Sequence, residues 1–121
     1  MSALPEVKVE GDFNPSRTKY ENFFTYSLDI LVVCDLHGFL RIVNPAFERL
    51  LGYSDSESNG KNLLDFIECN DLLKTEIKKH IAAKLSGTFT TQLIRRDKKL
   101  VWMELTIFPC PSQDQIYVVA H

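Results

Sequence analysis

The sequence predicts an α+β domain built around a five-stranded antiparallel sheet. Five short runs of alternating or β-branched residues are bounded by turn-forming residues, which is typical of strands. Two runs come before a middle region with helical spacing of apolar residues, and three come after it. The chain has 121 residues, 45% of them hydrophobic and 25% charged, which suits one globular domain. These observations favour one sheet with helices between its second and third strands.

The N-terminal part of the chain divides into two segments. Residues 1–16 contain two prolines and a glycine without any sustained period, so we expect a leader or linker. Residues 17–27 predict a helix because aromatic side chains recur at helical spacing. These side chains are Tyr20, Phe23 and Phe24. A single domain is therefore expected over 17–121, with this helix as a cap on a core of 30–121.

The five strands are separated by short connections. They are predicted at 30–35, 39–43, 88–95, 99–108 and 115–121. Gly38, between the first two, can supply the unusual backbone conformation that a tight turn needs. Alternation sorts the last two strands onto two faces, one beginning with Val101 and Met103 and the other with Trp102 and Tyr117.

The stretch VNPAFERLLGYS predicts a joint between a strand and a helix. A residue before proline is pushed away from the α region, which is the geometry that an N-cap needs, so Asn44 can cap a helix beginning at Pro45. Gly52 is expected to end that helix. Polar residues 54–62, including Gly60, are interpreted as a loop.

A longer helix is predicted after Asn70, which can act as its N-cap. The apolar stripe Leu73, Ile77 and Ile81 would face the core, and Gly87 is expected to stop the helix. The apolar run 63–67, which precedes it, is interpreted as a short helical turn or an irregular segment.

The bulk properties exclude several classes of protein. A formal net charge of -2 gives no overall excess of positive charge to favour phosphate backbones or anionic lipid, so we expect no nucleic-acid partner and no membrane contact. The three cysteines have no CxxC spacing, which argues against a disulfide framework or a metal site and favours a reducing, cytoplasmic location. None of the three histidines lies in a recognisable catalytic motif, so we expect a domain that is not an enzyme.

A set of short motifs resembles the PAS domain family. The motifs are Asp35-x-x-Gly38, Val43-Asn44-Pro45-Ala46-Phe47, Leu51-Gly52-Tyr53-Ser54, then Glu57, Gly60 and Trp102. The resemblance implies strand order 2-1-5-4-3 with helices packed on one face. One departure is Asp97-Lys98, where family members often carry Asp-Gly.

The resemblance implies a sensory module rather than a catalyst. PAS domains are mostly sensory and dimerisation modules attached to histidine kinases, diguanylate cyclases or transcription factors. We therefore expect this domain to transmit a ligand- or redox-induced conformational change to a C-terminal effector, most simply that of a bacterial sensor histidine kinase. The alternatives are a diguanylate cyclase or phosphodiesterase as the effector, or a domain that serves only as a ligand-free dimerisation module. A homodimer is expected, because this family often pairs through the region of its N-terminal helix.

The same resemblance allows two cofactors to be weighed. In the blue-light flavin (LOV) subfamily the photoactive cysteine corresponds to Leu63 here, and the flavin-contacting amides correspond to Leu93, Met103 and Ala120. These residues argue against a photoactive FMN. His80 is the only candidate for a haem ligand, but it lies about one turn later than in the family's oxygen sensors, which argues against haem.

Two groups of candidate site residues remain. The ligand-pocket candidates are Val32, Cys34, Leu63, His80, Leu93, Met103 and Ala120, which would either line a small apolar pocket or simply pack the core. Cys34 is expected to be an inert buried thiol. The dimer or cap-helix contact candidates are Tyr20, Phe23, Phe24, Trp102 and Tyr117. Either the N-terminal helix covers the outer sheet face, or two copies exchange these surfaces.

Overall fold

The structure is a computed structural model that describes residues 19–68 and 70–121. The expected leader, 1–16, lies outside the described residues. The elements in chain order are α1 (Lys19–Tyr26), β1 (Ile30–Cys34), β2 (Leu40–Val43), α2 (Pro45–Leu51), α3 (Asp55–Ser58), a 3-10 helix (Leu63–Phe66), α4 (Asp71–Ala83), β3 (Gly87–Ile94), β4 (Leu100–Cys110), a 3-10 turn (Pro111–Gln113) and β5 (Gln115–Ala120).

The five strands form one antiparallel sheet in the order β2-β1-β5-β4-β3. This confirms the predicted fold class and strand order. The strand that comes last in sequence therefore lies at the centre, where β5 pairs with β1 on one side and with β4 on the other. The register between β1 and β2 shifts between Val33 and Cys34, which marks a bulge or irregularity in that pair.

The inner face of the sheet carries the hydrophobic core. Alternate residues of the central strands are buried there, among them Leu105, Ile107, Ile116 and Val118. Phe47 of α2 and Phe66 of the 3-10 helix meet edge to face, with ring centroids 5.4 Å apart. The face containing Val101 and Met103 is thus the inner one, as the family resemblance implies.

Asn44 joins four segments of the chain through its side chain, which is fully buried. Its Oδ1 accepts hydrogen bonds from the backbone N–H groups of Leu31, at 3.0 Å, and Phe47, at 3.2 Å. Its Nδ2 donates to the carbonyl oxygens of Phe24 and Asp29, at 3.1 and 3.0 Å. The amide thereby uses both of its donors and both acceptor sites. It is the N-cap of α2 and also fixes α1 and the entry to β1.

Two assignments made from the sequence are wrong in this region. The supposed polar loop contains a helical turn, α3, because Ser54 and Glu57 form a reciprocal capping box. Gly87 does not end α4, which ends instead at Lys84 in a left-handed conformation with φ 58°. Gly87 begins β3, where an added Cβ would approach the His80 ring to 2.9 Å.

The β3–β4 hairpin has a three-residue loop between Arg95 and Lys99. The Lys98 N–H donates to the Arg95 carbonyl at 2.9 Å, and the Arg95 N–H donates to the Lys99 carbonyl at 2.8 Å. Lys98 has φ 72°, the left-handed region in which the family's more frequent glycine is unstrained. Asp97 accepts from the Lys99 N–H at 3.0 Å, and this hydrogen bond lowers the pKa of its carboxyl, with a smaller contribution from Arg95.

Replacing Asn44 by Ala should destabilise the domain by about 3 kcal/mol, because four buried backbone groups lose their partner. The matched control is Asn70→Ala, which removes an exposed N-cap with one hydrogen bond to the Leu73 N–H, and should cost about 1 kcal/mol. Urea unfolding followed by circular dichroism measures both. If both variants lost the same free energy of unfolding, the buried hydrogen bonds of Asn44 would contribute no more stability than an ordinary N-cap.

Replacing Lys98 by Gly should stabilise the domain by about 1 kcal/mol, because glycine has no Cβ to clash at positive φ. Lys99→Gly is the control, since Lys99 is not among the residues with positive φ and should lose stability on becoming glycine. Thermal unfolding of both variants against the unchanged chain gives the comparison. A loss of stability in Lys98→Gly would contradict the strain assigned to this turn.

Candidate functional site

The turn between β1 and β2 is fixed to the 3-10 helix. Asp35 Oδ1 accepts from the backbone N–H groups of His37 and Phe39, both at 2.9 Å. Gly38 has φ 92°, and Asn62 packs against it and donates from its Nδ2 to the His37 carbonyl at 3.1 Å. Asn62 also accepts from the Leu64 N–H at 3.0 Å and so caps the 3-10 helix. This arrangement makes one rigid wall of a surface cleft.

The opposite wall of the cleft is α4. The cleft has a volume of about 780 Å³ and is open to solvent. Its lining residues are Leu36, His37, Asn62, Leu64, Asp65, Lys74, Lys78, Ile81, Ala82 and Lys84. Leu36, Leu64 and Ile81 are half-buried and pack against the core, so they give the cleft an apolar floor. The charged side chains stand around that floor.

None of the pocket candidates chosen from the sequence lines this cleft. Six of them are buried in the common core: Val32, Cys34, Leu63, Leu93, Met103 and Ala120. The structure brings these six together on the inner face of the sheet and beneath the 3-10 helix. The prediction that they line a ligand pocket stays a prediction. The cleft residues were missed because a lysine on a helix surface carries no sequence signal that separates it from an ordinary solvated lysine.

His80, the seventh candidate, lies apart from the other six. Its ring packs edge to face on Phe89, with centroids 5.1 Å apart, and its Nδ1 lies 2.8 Å from the Glu76 carbonyl oxygen. It covers the start of β3 at Gly87. Within residues 19–68 and 70–121, no group of three or more His, Cys, Asp and Glu side chains is placed to hold a metal ion.

Cys34 is buried at the end of β1 and is a free thiol. Burial raises its pKa from an ordinary value of 9.0 to about 12, with a further rise from the negative charge of Asp35. Because the thiolate is the nucleophilic form, this cysteine is protected from oxidation and alkylation in the folded state.

The outer face of the sheet exposes apolar side chains. Ile42, Val33, Tyr117 and Phe108 are in register across four neighbouring strands, and we call them the outer row. Val33 is buried, whereas the other three are 36–50% exposed. Trp102 lies on the same face and is 66% exposed. Glu104 and His121 pair at 3.3 Å on this face.

Trp102 is 66% exposed, so α1 does not cover it within the single chain. The other alternative, in which two copies exchange these surfaces, stays a prediction. Within the chain, α1 contacts α2, because Asn44 binds the Phe24 carbonyl. Tyr20 and Phe23 point to solvent, 81% and 71% exposed, while Phe24 is half-buried. Two exposed aromatic surfaces therefore remain, one on the helix and one on the sheet. None of the described helices is long and apolar enough to cross a membrane.

The comparison with protein families decides the identity of this fold. The family model described as a PAS domain matches residues 28–120. The chain belongs to the PAS domain family. The PAS domain begins just before β1 and includes all five strands, so α1 lies outside the matched region. The chain is therefore a PAS sensory domain. Domains of this family are generally non-catalytic.

Solved structures share this fold at low sequence identity. A domain of a sensory box sensor histidine kinase/response regulator from Geobacter sulfurreducens has a TM-score of 0.74 at 18% identity, with 84% of this chain and 90% of that chain covered. The PAS domain of an HTR-like protein from Haloarcula marismortui gives 0.72 at 23%, with 84% and 87% covered. The comparison with curated proteins finds no match.

A LOV domain of a blue-light activated histidine kinase from Erythrobacter litoralis is also similar, with a TM-score of 0.70 at 24% identity and 77% and 94% of the two chains covered. By the family resemblance, Leu63 stands where LOV domains carry the photoactive cysteine, and it is buried. The positions that the resemblance assigns to the flavin-contacting amides carry Leu93, Met103 and Ala120, which are buried and have no side-chain amide. The prediction that this chain holds no photoactive FMN stays a prediction.

The raised pKa of Cys34 predicts a pH dependence of stability. A group whose pKa is higher in the folded state stabilises the fold below its unfolded pKa and loses that contribution as pH rises toward its folded pKa. The unchanged chain should therefore lose stability between pH 9.0 and about 12, at up to about 1.4 kcal/mol per pH unit relative to Cys34→Ala.

Urea unfolding at about pH 8 and about pH 10.5 measures this difference. Ionisation of lysines and tyrosines affects the stability of the unchanged chain and of Cys34→Ala equally, so it cancels in the difference between them. Cys110→Ala, which removes a thiol that is only half-buried, is the matched control. A Cys34→Ala profile parallel to that of the unchanged chain would contradict the assignment.

Proposed function

We propose that this PAS domain is the sensory and regulatory module of a multidomain signalling protein, with a sensor histidine kinase as its effector. The observation that carries the proposal is the position of β5. Its residues alternate between the buried core, at Ile116 and Val118, and the exposed outer face, at Tyr117. It leads directly from the sheet centre to His121, so a change in core packing reaches both the outer face and any effector beyond.

Two similarities support the choice of a histidine kinase. The Geobacter sulfurreducens structure is a domain of a sensor histidine kinase/response regulator, and the Erythrobacter litoralis LOV domain comes from a histidine kinase. A diguanylate cyclase or phosphodiesterase effector is the second candidate, because the same exit from β5 would serve it equally. The coding sequence after His121 discriminates them, and a sequence there with no effector domain would overturn the proposal.

The signal is proposed to be a bound ligand rather than oxidation of Cys34. That thiol has a pKa of about 12 and is buried, so it is neither ionised nor accessible at neutral pH. A ligand shifts a conformational balance only by binding the two states unequally. The ligand must therefore make different contacts in the two states.

We further propose that the outer row pairs with the outer row of a second copy. An apolar strip of this kind, rimmed by polar residues, is typical of a protein interface. The exposed side chains Ile42, Tyr117 and Phe108 lie in one line across the sheet. In a two-fold symmetric dimer, this line on one copy could pack against the same line on the other copy. Exposed Tyr20 and Phe23 on α1 would extend the contact.

Light scattering of the complete chain tests the dimer. The unchanged chain should have twice the chain mass of 13.9 kDa. Tyr117→Glu or Phe108→Glu should shift it to the monomer, because a buried unpaired carboxylate would disfavour the interface. Leu72→Glu is the matched control, since Leu72 is an exposed apolar residue on α4, 83% accessible, and its charge should leave the dimer intact.

Circular dichroism of each variant separates loss of pairing from loss of folding. The outer row would be excluded as the interface if the unchanged chain were a monomer. It would also be excluded if Tyr117→Glu and Phe108→Glu, tested separately, both folded and remained dimeric.

A further inference from the structure

We propose that the cleft between α4 and the 3-10 helix binds an amphiphilic organic anion, a molecule with an apolar body and a terminal carboxylate or phosphate. The proposal names a site and a ligand class that the proposed sensory function leaves open. It is independent of the effector and of the dimer, because it depends only on residues that line the cleft.

The size and floor of the cleft suit a small organic molecule. Its volume of about 780 Å³ lies in the usual range for ligand sites, about 300–1,000 Å³. Leu36, Leu64 and Ile81 are half-buried, and Ala82 adds a small exposed side chain beside them. These four residues offer apolar surface within one cleft, so a hydrocarbon chain or ring that contacts them would be removed from water.

The rim of the cleft has an excess of positive charge in a chain whose formal net charge is -2. Three lysines and one aspartate line it, an excess of two positive charges. The aspartate, Asp65, already accepts from the Asn62 N–H at 2.9 Å as part of the 3-10 helix cap. Its carboxylate is therefore held on the backbone of the wall.

The three cleft lysines have no partner of opposite charge among the described residues. Ion pairs there involve Lys79, Arg95, Arg96 and His121, and none involves Lys74, Lys78 or Lys84. Lys74 and Lys78 are four residues apart on α4 and so are neighbours on one face, where like charges repel. An anion between them would relieve that repulsion, which a neutral ligand could not do.

The positions of the lysines and of the apolar floor residues along α4 set the orientation of the ligand. Ile81 and Ala82 follow the two lysines along α4, so the anionic group would lie toward the Lys74 and Lys78 end and the apolar body toward the C-terminal end of the helix. Lys84, just beyond that end, can contact a second anionic group or the solvent-facing edge of the ligand. Binding would bridge α4 and the 3-10 helix, which both line the cleft.

Calorimetric titration with octanoate, with octan-1-ol as its neutral match, tests the proposal on the complete chain. Octanoate should bind at least fivefold more tightly than octan-1-ol. The double variant Lys74→Gln/Lys78→Gln should weaken octanoate binding at least fivefold and leave octan-1-ol binding unchanged. Lys79→Gln is the matched control, because Lys79 lies on the same helix but pairs with Glu76 at 3.7 Å, and it should bind octanoate like the unchanged chain.

A second variant tests the floor. Ala82→Glu places a carboxylate beside Ile81 on a residue that is exposed, so folding should be unaffected and octanoate binding should be lost. Amide chemical shifts in the unchanged chain should move at the cleft residues on titration, and not along the outer row.

The proposal would be overturned by equal binding of octanoate and octan-1-ol, by no octanoate binding at all, or by equal weakening in Lys79→Gln. Co-sedimentation with vesicles of phosphatidylglycerol and phosphatidylcholine separates a free anion from a lipid surface. Vesicle binding lost in Lys74→Gln/Lys78→Gln, without any octanoate binding, would assign these lysines to a membrane surface instead.

Discussion

The fold depends on one buried amide. Asn44 satisfies backbone groups from α1, from the segment before β1, from β1 itself and from α2. Among uncharged side chains, only the amides of Asn and Gln offer two acceptor sites and two donors. The sheet and the first helix pair are therefore positioned by one residue. The rest follows from that joint: α2 places Phe47 over the sheet, and Phe47 packs against Phe66 of the 3-10 helix that forms a wall of the cleft.

The sequence was sufficient for the architecture because the relevant signals are local. Strand alternation separates Met103 from Trp102, and the Asn44-Pro45 pair marks a helix start regardless of the remaining chain. Even so, only the cap function of Asn44 could be predicted. Its bonds to Phe24 and Asp29 join residues fifteen to twenty positions apart, and no local pattern specifies such a contact. The capping box of α3, in contrast, is a local signal, since Ser54 and Glu57 are three residues apart.

The candidate site was much less predictable than the fold. Buried residues such as Leu93 and Ala120 were chosen because the resemblance places a ligand in the core, whereas the structure packs them together and opens its cleft elsewhere. The cleft joins a turn, a 3-10 helix and α4, so its residues are far apart in sequence. Lys74 and Lys78 become informative only when the apolar floor beside them and the absence of partners among the described residues are known.

The central position of β5 has a consequence for biosynthesis. Ile30 pairs with Ala120, so the sheet joins the first strand of the domain to the last across ninety residues of chain. Until β5 leaves the ribosome, the β1–β2 and β3–β4 hairpins each expose an unpaired edge, which is a template for aggregation. Such distant pairing also slows folding. The sheet of this domain therefore closes only after its whole chain, including β5, has been synthesised.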